Sequence, residues 1–210
     1  LNKVRGLYQE LLKKYGKQGW WPVIRGLQSH YHPGDYTTPD SVEEKFQIAI
    51  GAILAQNTSW KNAETALINL YRAGMLKPEK LAAATEFEIA NLIRPSGYYN
   101  QKTRKIQEFV KHCPSMENGK SIEELRAQLL SIRGLGPETA DSIILYAYKK
   151  PIFVIDAYTK RFCEAHGLEV SGDHDDYREF FEKNLRKDHR VFNEFHALIV
   201  QWGKDNKLKE

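Results

Sequence analysis

The sequence predicts an all-α fold on three observations. Apolar residues recur at helical spacing along most of the chain, serine or threonine stands three residues ahead of glutamate at several segment starts, and a single short run reads as β. The first stripe is Val4, Leu7, Leu11 and Tyr15 with Tyr8 and Leu12 beside them, and it stops at Gly16. Residues 16–39, rich in Gly, Trp and Pro, read as a linker. Ser41 with Glu44 forms a capping box, and the run Phe46 to Ala55 behind it is apolar nearly all round, as in a helix buried at the centre of a bundle. Gln56-Asn57-Thr58-Ser59 ends that helix and offers polar side chains to cap the next, which turns Ala63, Ala66, Leu67 and Leu70 inward. Thr85 with Glu88 and Ser121 with Glu124 repeat the box, and Pro95 closes the helix that Thr85 opens. A helix from Gln101 to about His112 buries Ile106, Phe109 and Val110 and turns its basic residues outward. Three later helices are expected: Pro137 to Tyr148, Ala157 to His166, and about His189 to Trp202. The run Ile152-Phe153-Val154-Ile155 is too solitary to make a sheet.

Composition narrows the class of protein. A chain of 210 residues with 41% hydrophobic content can bury a real core and is not a disordered tail. Charged residues at 28%, a mean hydropathy of -0.57 and no apolar run approaching about 18 residues exclude a membrane-spanning helix. Leu1-Asn2-Lys3-Val4-Arg5 leads into no signal-type apolar stretch. Cys113 and Cys163 imply no disulfide framework and cannot make a four-cysteine metal or iron–sulfur site, so a reducing cytoplasm is expected. Lys plus Arg number 31 against 27 Asp plus Glu, a net charge of +4 that permits a polyanionic partner without demanding one. Basic residues gather at Lys102, Arg104 and Lys105 and again at Lys149, Lys150, Lys160 and Arg161, while acids dominate Asp173 to Glu182.

The stretch Leu130 to Asp141 carries the chemistry. A helix, a turn on Gly134 and Gly136, and a new helix with Pro137 at its first position make a helix–hairpin–helix. The glycines let backbone approach a ligand, and unpaired N–H groups at the second helix offer a place to a phosphate. An ordinary αα-corner is the bland alternative. Further on, Phe153-Val154-Ile155-Asp156-Ala157-Tyr158-Thr159 sets an aspartate between an apolar run and a helix. Asp156 reads there as a plain N-cap or as a catalytic carboxylate.

Together these segments resemble the helix–hairpin–helix DNA glycosylase superfamily, HhH-GPD, of endonuclease III type. The hairpin matches L-x-G-x-G-x-x-T-A, Val154-Ile155-Asp156 matches its V-D segment, Ile53-Leu54-Ala55-Gln56-Asn57-Thr58 matches L-S-A-Q-x-T, and Gly97-Tyr98-Tyr99-Asn100-Gln101-Lys102 matches G-L-Y-N-x-K. The resemblance covers nearly the whole chain and implies two helical domains with the active site in the cleft between them. Residues 37–150 would form the six-helix domain, and residues 1–36 would join 151–210 in the other. Two departures matter. Bifunctional members carry a lysine where this chain has Glu138, so the Schiff-base amine is missing, and no cysteine follows Cys163 to hold an iron–sulfur cluster. Among the subfamilies the chain is most similar to the 3-methyladenine DNA glycosylases that lack the cluster, through Glu138, Arg94-Pro95-Ser96-Gly97-Tyr98-Tyr99-Asn100-Gln101-Lys102 and Trp20-Trp21-Pro22.

The resemblance implies hydrolysis of the N-glycosidic bond of a flipped alkylated purine in base excision repair, leaving an abasic site. Asp156 would be the catalytic carboxylate, with Glu138 either a second catalytic group or a first-turn acid. Trp20, Trp21 and Trp60 would stack on a cationic base or merely pack domain against domain. Gln56, Tyr98, Lys102, Gly134, Gly136 and Thr139 would meet double-stranded DNA, Tyr98 as the wedge that fills the vacated stack. The carbonyls of Leu130, Ile132 and Leu135 would hold a monovalent cation, K+ or Na+, against a phosphate, and catalysis itself would need no cofactor. A monomer associated with the nucleoid is expected. The rival readings are a glycosylase for uracil, mismatched thymine or oxidised pyrimidines, and a non-catalytic DNA binder, in which a carboxylate such as Asp156 near phosphate would have no use.

Overall fold

The computed structural model of the chain describes residues 2–113 and 119–207, so the expected terminal domain extends at residues 1 and 208–210 beyond what is described. Asn2 caps α1 (Lys3–Tyr15) by accepting the Val4 amide. The stretch read as a linker contains a small antiparallel hairpin instead, β1 (Val23–Arg25) and β2 (Gln28–His30), with Arg25 opposite Gln28. Gly26 and Leu27 turn it with φ of 58° and 67°, the left-handed pair that a two-residue hairpin requires. Strands of three residues leave too little alternation to be read in sequence.

The hairpin docks on α2 (Val42–Leu54), where Ile24 N–H donates to Gln47 and Arg25 pairs with Glu44 at 2.5 Å. Glu44 therefore does not complete the expected capping box. Ser41 accepts the Glu44 amide, but the Glu44 carboxylate goes to Arg25 and to the amide of Asp40. Every residue of α2 from Phe46 to Leu54 is buried, as its uniform apolarity requires.

α3 (Trp60–Arg72) starts at Ser59 without the expected side-chain cap, and Thr58 accepts from Asn62 instead. The short α4 (Pro78–Ala83) was not legible, having Leu81 as its one buried residue. The full capping boxes at Thr85 and Ser121 open α5 (Glu86–Leu92) and α7 (Ile122–Ser131). Between them lie a 3₁₀ turn (Arg94–Ser96) and α6 (Tyr99–His112). The single helix expected from Pro137 to Tyr148 is α8 (Pro137–Ser142) followed by a π-helical segment (Ile143–Ala147), both packed on α2.

Residues 152–155 are buried and pair with no strand among the described residues, and the Phe153 amide donates to the Glu182 carboxylate. α9 (Ala157–Ala165) follows, then α10 (His174–Asn184) and α11 (His189–Asp205). α10 occupies the acid-rich run, where Asp173 and Asp176 form a capping box ahead of Tyr177, Phe180 and Phe181. α1 packs along α11 and α10, tied by Lys14 and Tyr15 to Asp205 and by Asn2 to Asn184. The buried apolar side chains form one contiguous cluster from Val4 to Ile199.

Candidate active site

Five separated segments converge on an open cavity of about 530 Å³: Trp20 and Trp21, the turn Gln56 to Trp60, the start of α8 with Glu138, the start of α9 with Asp156, and His196 to Lys204 on α11. The aromatic wall forms because Trp60 meets Trp20 and Trp21 edge to face while Trp20 and Trp21 tilt against each other, with ring centroids 5.1 to 5.4 Å apart. Trp21 is only 6% exposed, and its Nε1 lies so near Gly51 that a Cβ there would come within 3.1 Å. Lys204 Nζ sits 5.4 Å from the Trp20 ring centre.

Asp156 is the N-cap of α9, and its Oδ1 accepts from both the amide and the hydroxyl of Thr159 at 2.7 and 2.8 Å. Its Oδ2 lies 3.3 Å from His196 Nε2, and the two side chains are 14% and 6% exposed. Burial pushes the Asp156 carboxyl up, but the neighbouring imidazole and the Thr159 hydrogen bonds outweigh it and hold the pKa below the ordinary aspartate value. Behind the imidazole, Nδ1 meets the hydroxyl of the buried Tyr146 at 2.6 Å. Sequence reading missed both residues, since nothing local marks a histidine on one helix as the partner of an aspartate on another. Glu138 stands exposed at the cavity rim, in the first turn of α8.

Of the residues expected on the DNA side, Tyr98 is 64% exposed, with φ of 46° at the start of α6, a left-handed conformation that thrusts the ring outward. Gln56 is engaged: its amide nitrogen donates to Gly134 O and to Thr139 Oγ1, while Lys105 Nζ donates to its oxygen at 2.6 Å. Thr139 is buried in that contact. Gly134, at φ 92°, is the hairpin position that needs glycine, and a Cβ there would strike the Lys105 side chain at 2.6 Å. Gly136 is extended and serves as the cap residue of α8.

Lys102 must be corrected. It was expected to face DNA with the other basic residues of α6, yet it is 1% exposed, and its ammonium donates to Leu54 O and Ser96 O at 2.8 and 2.6 Å. Burial and the nearby charge of Lys105 lower its pKa to about 8. Two helix-end carbonyls lacking intrahelical donors account for its inward turn. At the hairpin, Ile132 O accepts the Leu135 amide at 3.0 Å and keeps a second lone pair. A donor set of backbone carbonyls such as Leu130, Ile132 and Leu135 suits an alkali-metal ion.

Residues 50–187 match the HhH-GPD superfamily of base excision DNA repair proteins. A Methanocaldococcus jannaschii protein whose name assigns it to the DNA repair glycosylases is 40% identical over 206 residues, covering 93% of this chain and 84% of that protein. Among solved structures, the H. pylori 3-methyladenine DNA glycosylase bound to 1,N6-ethenoadenine aligns over 100% of both chains, with a TM-score of 0.74 and 25% identity. An endonuclease III in non-covalent complex with DNA shares the fold, with a TM-score of 0.75 and 19% identity over 97% of this chain and 86% of that one. The chain belongs to the HhH-GPD superfamily and is a DNA glycosylase of base excision repair.

Proposed function

We propose that the chain is a monofunctional DNA glycosylase that hydrolyses the N-glycosidic bond of an alkylated purine such as 3-methyladenine, flipped out of duplex DNA. The observation that carries this reading is Asp156 in the wall of an aromatic cavity, with Oδ1 held by Thr159 and Oδ2 beside His196. The cavity volume of about 530 Å³ lies in the range of small-ligand sites. The full-length likeness to the H. pylori enzyme supports the substrate class.

In the proposed step, water bonds to the sugar C1′ as the C1′–N bond breaks. The bonding electron pair leaves with the base, and the water proton passes to Asp156. An N3-alkylated adenine, cationic in DNA, departs as a neutral molecule, so the ionised carboxylate has mainly to stabilise positive charge on the sugar and orient the water. With Glu138 in place of the lysine, no amine stands there to form a Schiff base, and the product is an unbroken strand with an abasic sugar. Tyr98 fills the vacated stack, and the hairpin seats a phosphate; the carbonyls of Leu130, Ile132 and Leu135 would hold a K+ or Na+ ion, which would supply positive charge to that phosphate. The proposed enzyme acts as a monomer.

Asp156→Asn tests the reading. Base release from methylated duplex DNA should fall by roughly 10²-fold or more, an electrostatic contribution of about 3 kcal/mol, while DNA affinity is kept or raised. Turnover comparable to the unmodified protein removes Asp156 from the mechanism.

A further inference from the structure

Asp156 is held from two sides, by Thr159 and by His196. Thr159 takes Oδ1 from within α9. His196 comes to Oδ2 from α11, on the opposite wall, at 3.3 Å, close enough for an ion pair but off the line of a hydrogen bond. Its other nitrogen meets the Tyr146 hydroxyl at 2.6 Å, while the same hydroxyl lies 3.5 Å from Asn193 O. The shorter contact governs. A neutral imidazole whose Nδ1 accepts from Tyr146 carries its proton on Nε2, and that is the nitrogen facing the carboxylate.

We propose that His196, its tautomer set by Tyr146, is a positioning residue that presents Nε2–H to Asp156 Oδ2 and so keeps the carboxylate an anion fixed at the cavity wall. Three observations support it. Both side chains are nearly buried, where an unassisted carboxylate would take up a proton. Thr159 already holds Oδ1 through its amide and its hydroxyl, so Oδ2 is the oxygen that meets His196. Tyr146 is buried on the π-helical segment, fully enclosed beneath Trp21, so its hydroxyl has few other acceptors to turn to. The other titratable side chains lining the cavity are Glu138 from α8, Tyr158 from α9 and Lys204 from α11. Glu194, two residues before His196, is directed away to Tyr36 and the Gln18 amide.

The inference rests on Asp156 being the working carboxylate, and its test separates the two claims. Aspartate ¹³Cγ signals would be followed by NMR against pH in the DNA-free protein, with the Asp156 signal assigned by its absence from Asp156→Asn. In the unmodified protein Asp156 should titrate with its midpoint below the ordinary aspartate value. In His196→Phe, which keeps a ring but has no N–H, the step should rise by at least one pH unit, and the acid limb of single-turnover base release should move with it. Tyr146→Phe should shift both in the same direction by less, and His196→Gln, whose amide can donate, should bring both back toward the unmodified protein. An unmoved Asp156 titration in folded His196→Phe overturns the proposal, as does a loss of rate that is equal at every pH or a His196→Gln variant that shifts as far as His196→Phe. A moved titration combined with full activity in Asp156→Asn would leave the His196 contact standing and remove the catalytic reading beneath it.

Discussion

Three tryptophans line the cavity, and their surroundings divide the work among them. Trp21 is enclosed between α2 and the Tyr146 ring, so it is wall. Trp20 already has the Lys204 ammonium near its face, which opposes a second cation there. Trp60, half-buried at the start of α3, is the ring best placed to receive an electron-poor base. Trp60→Leu keeps bulk and removes the π face. Excision of 3-methyladenine should then fall by more than cleavage of any neutral base, by a margin of about 0.5–2 kcal/mol, measured by single-turnover release from paired substrates. Equal losses on both would make Trp60 a packing residue. Asp156 and the tryptophans were legible in sequence because each sits in a string whose neighbours explain it. His196 and Tyr146 were not, because their meaning lies in side chains brought from other helices.

Two turns face the expected DNA side, one ending α2 and one opening α6, and a single buried ammonium joins them. Lys102 donates to the last carbonyl of α2 and to the Ser96 carbonyl two residues before Tyr98. Replacing it with Met removes both bonds and leaves two carbonyls without their donor, which costs about 1–3 kcal/mol for each group stranded from solvent. Lys102→Met should lower the denaturation midpoint and, by loosening the turn that holds Tyr98, should weaken binding to abasic-site DNA in the same direction as Tyr98→Ala, which loses a stacking contact of ~1–3 kcal/mol. Unchanged stability would show that the clamp has no mechanical role. Helix starts with capping boxes, such as Thr85 and Ser121, could be read directly from spacing. Lys102 was misread because a lysine beside Arg104 and Lys105 reads as a solvated basic face, and only the packing of α6 against the end of α2 shows which of the three turns inward.

The cavity exists because Trp20 and Trp21, the start of α9 and the face of α11 come together with the end of α2 and the start of α8. The hairpin is anchored to this arrangement through Asp141, fully buried on α8 and paired with Arg126 of α7 at 2.7 Å and with His174 of α10 at 2.8 Å. Such a junction between distant segments is invisible to periodicity, which registers each helix alone. The all-α class was legible from spacing, and the order of the four motifs carried the family. The small hairpin at residues 23–30 and the short α4 escaped because neither is long enough to show a period. The central claim is that this assembly releases a cationic alkylated purine by hydrolysis alone, and one measurement addresses both halves of it. The unmodified protein would be incubated with methylated, uracil-containing and oxidised-pyrimidine-containing duplexes in the presence and absence of borohydride, the freed base identified by chromatography and the DNA resolved on a denaturing gel. The account predicts free 3-methyladenine from the methylated duplex, an intact abasic strand and no trapped protein–DNA adduct. Release of uracil or oxidised pyrimidine with none from methylated DNA, or a stoichiometric borohydride-trapped adduct, would contradict it.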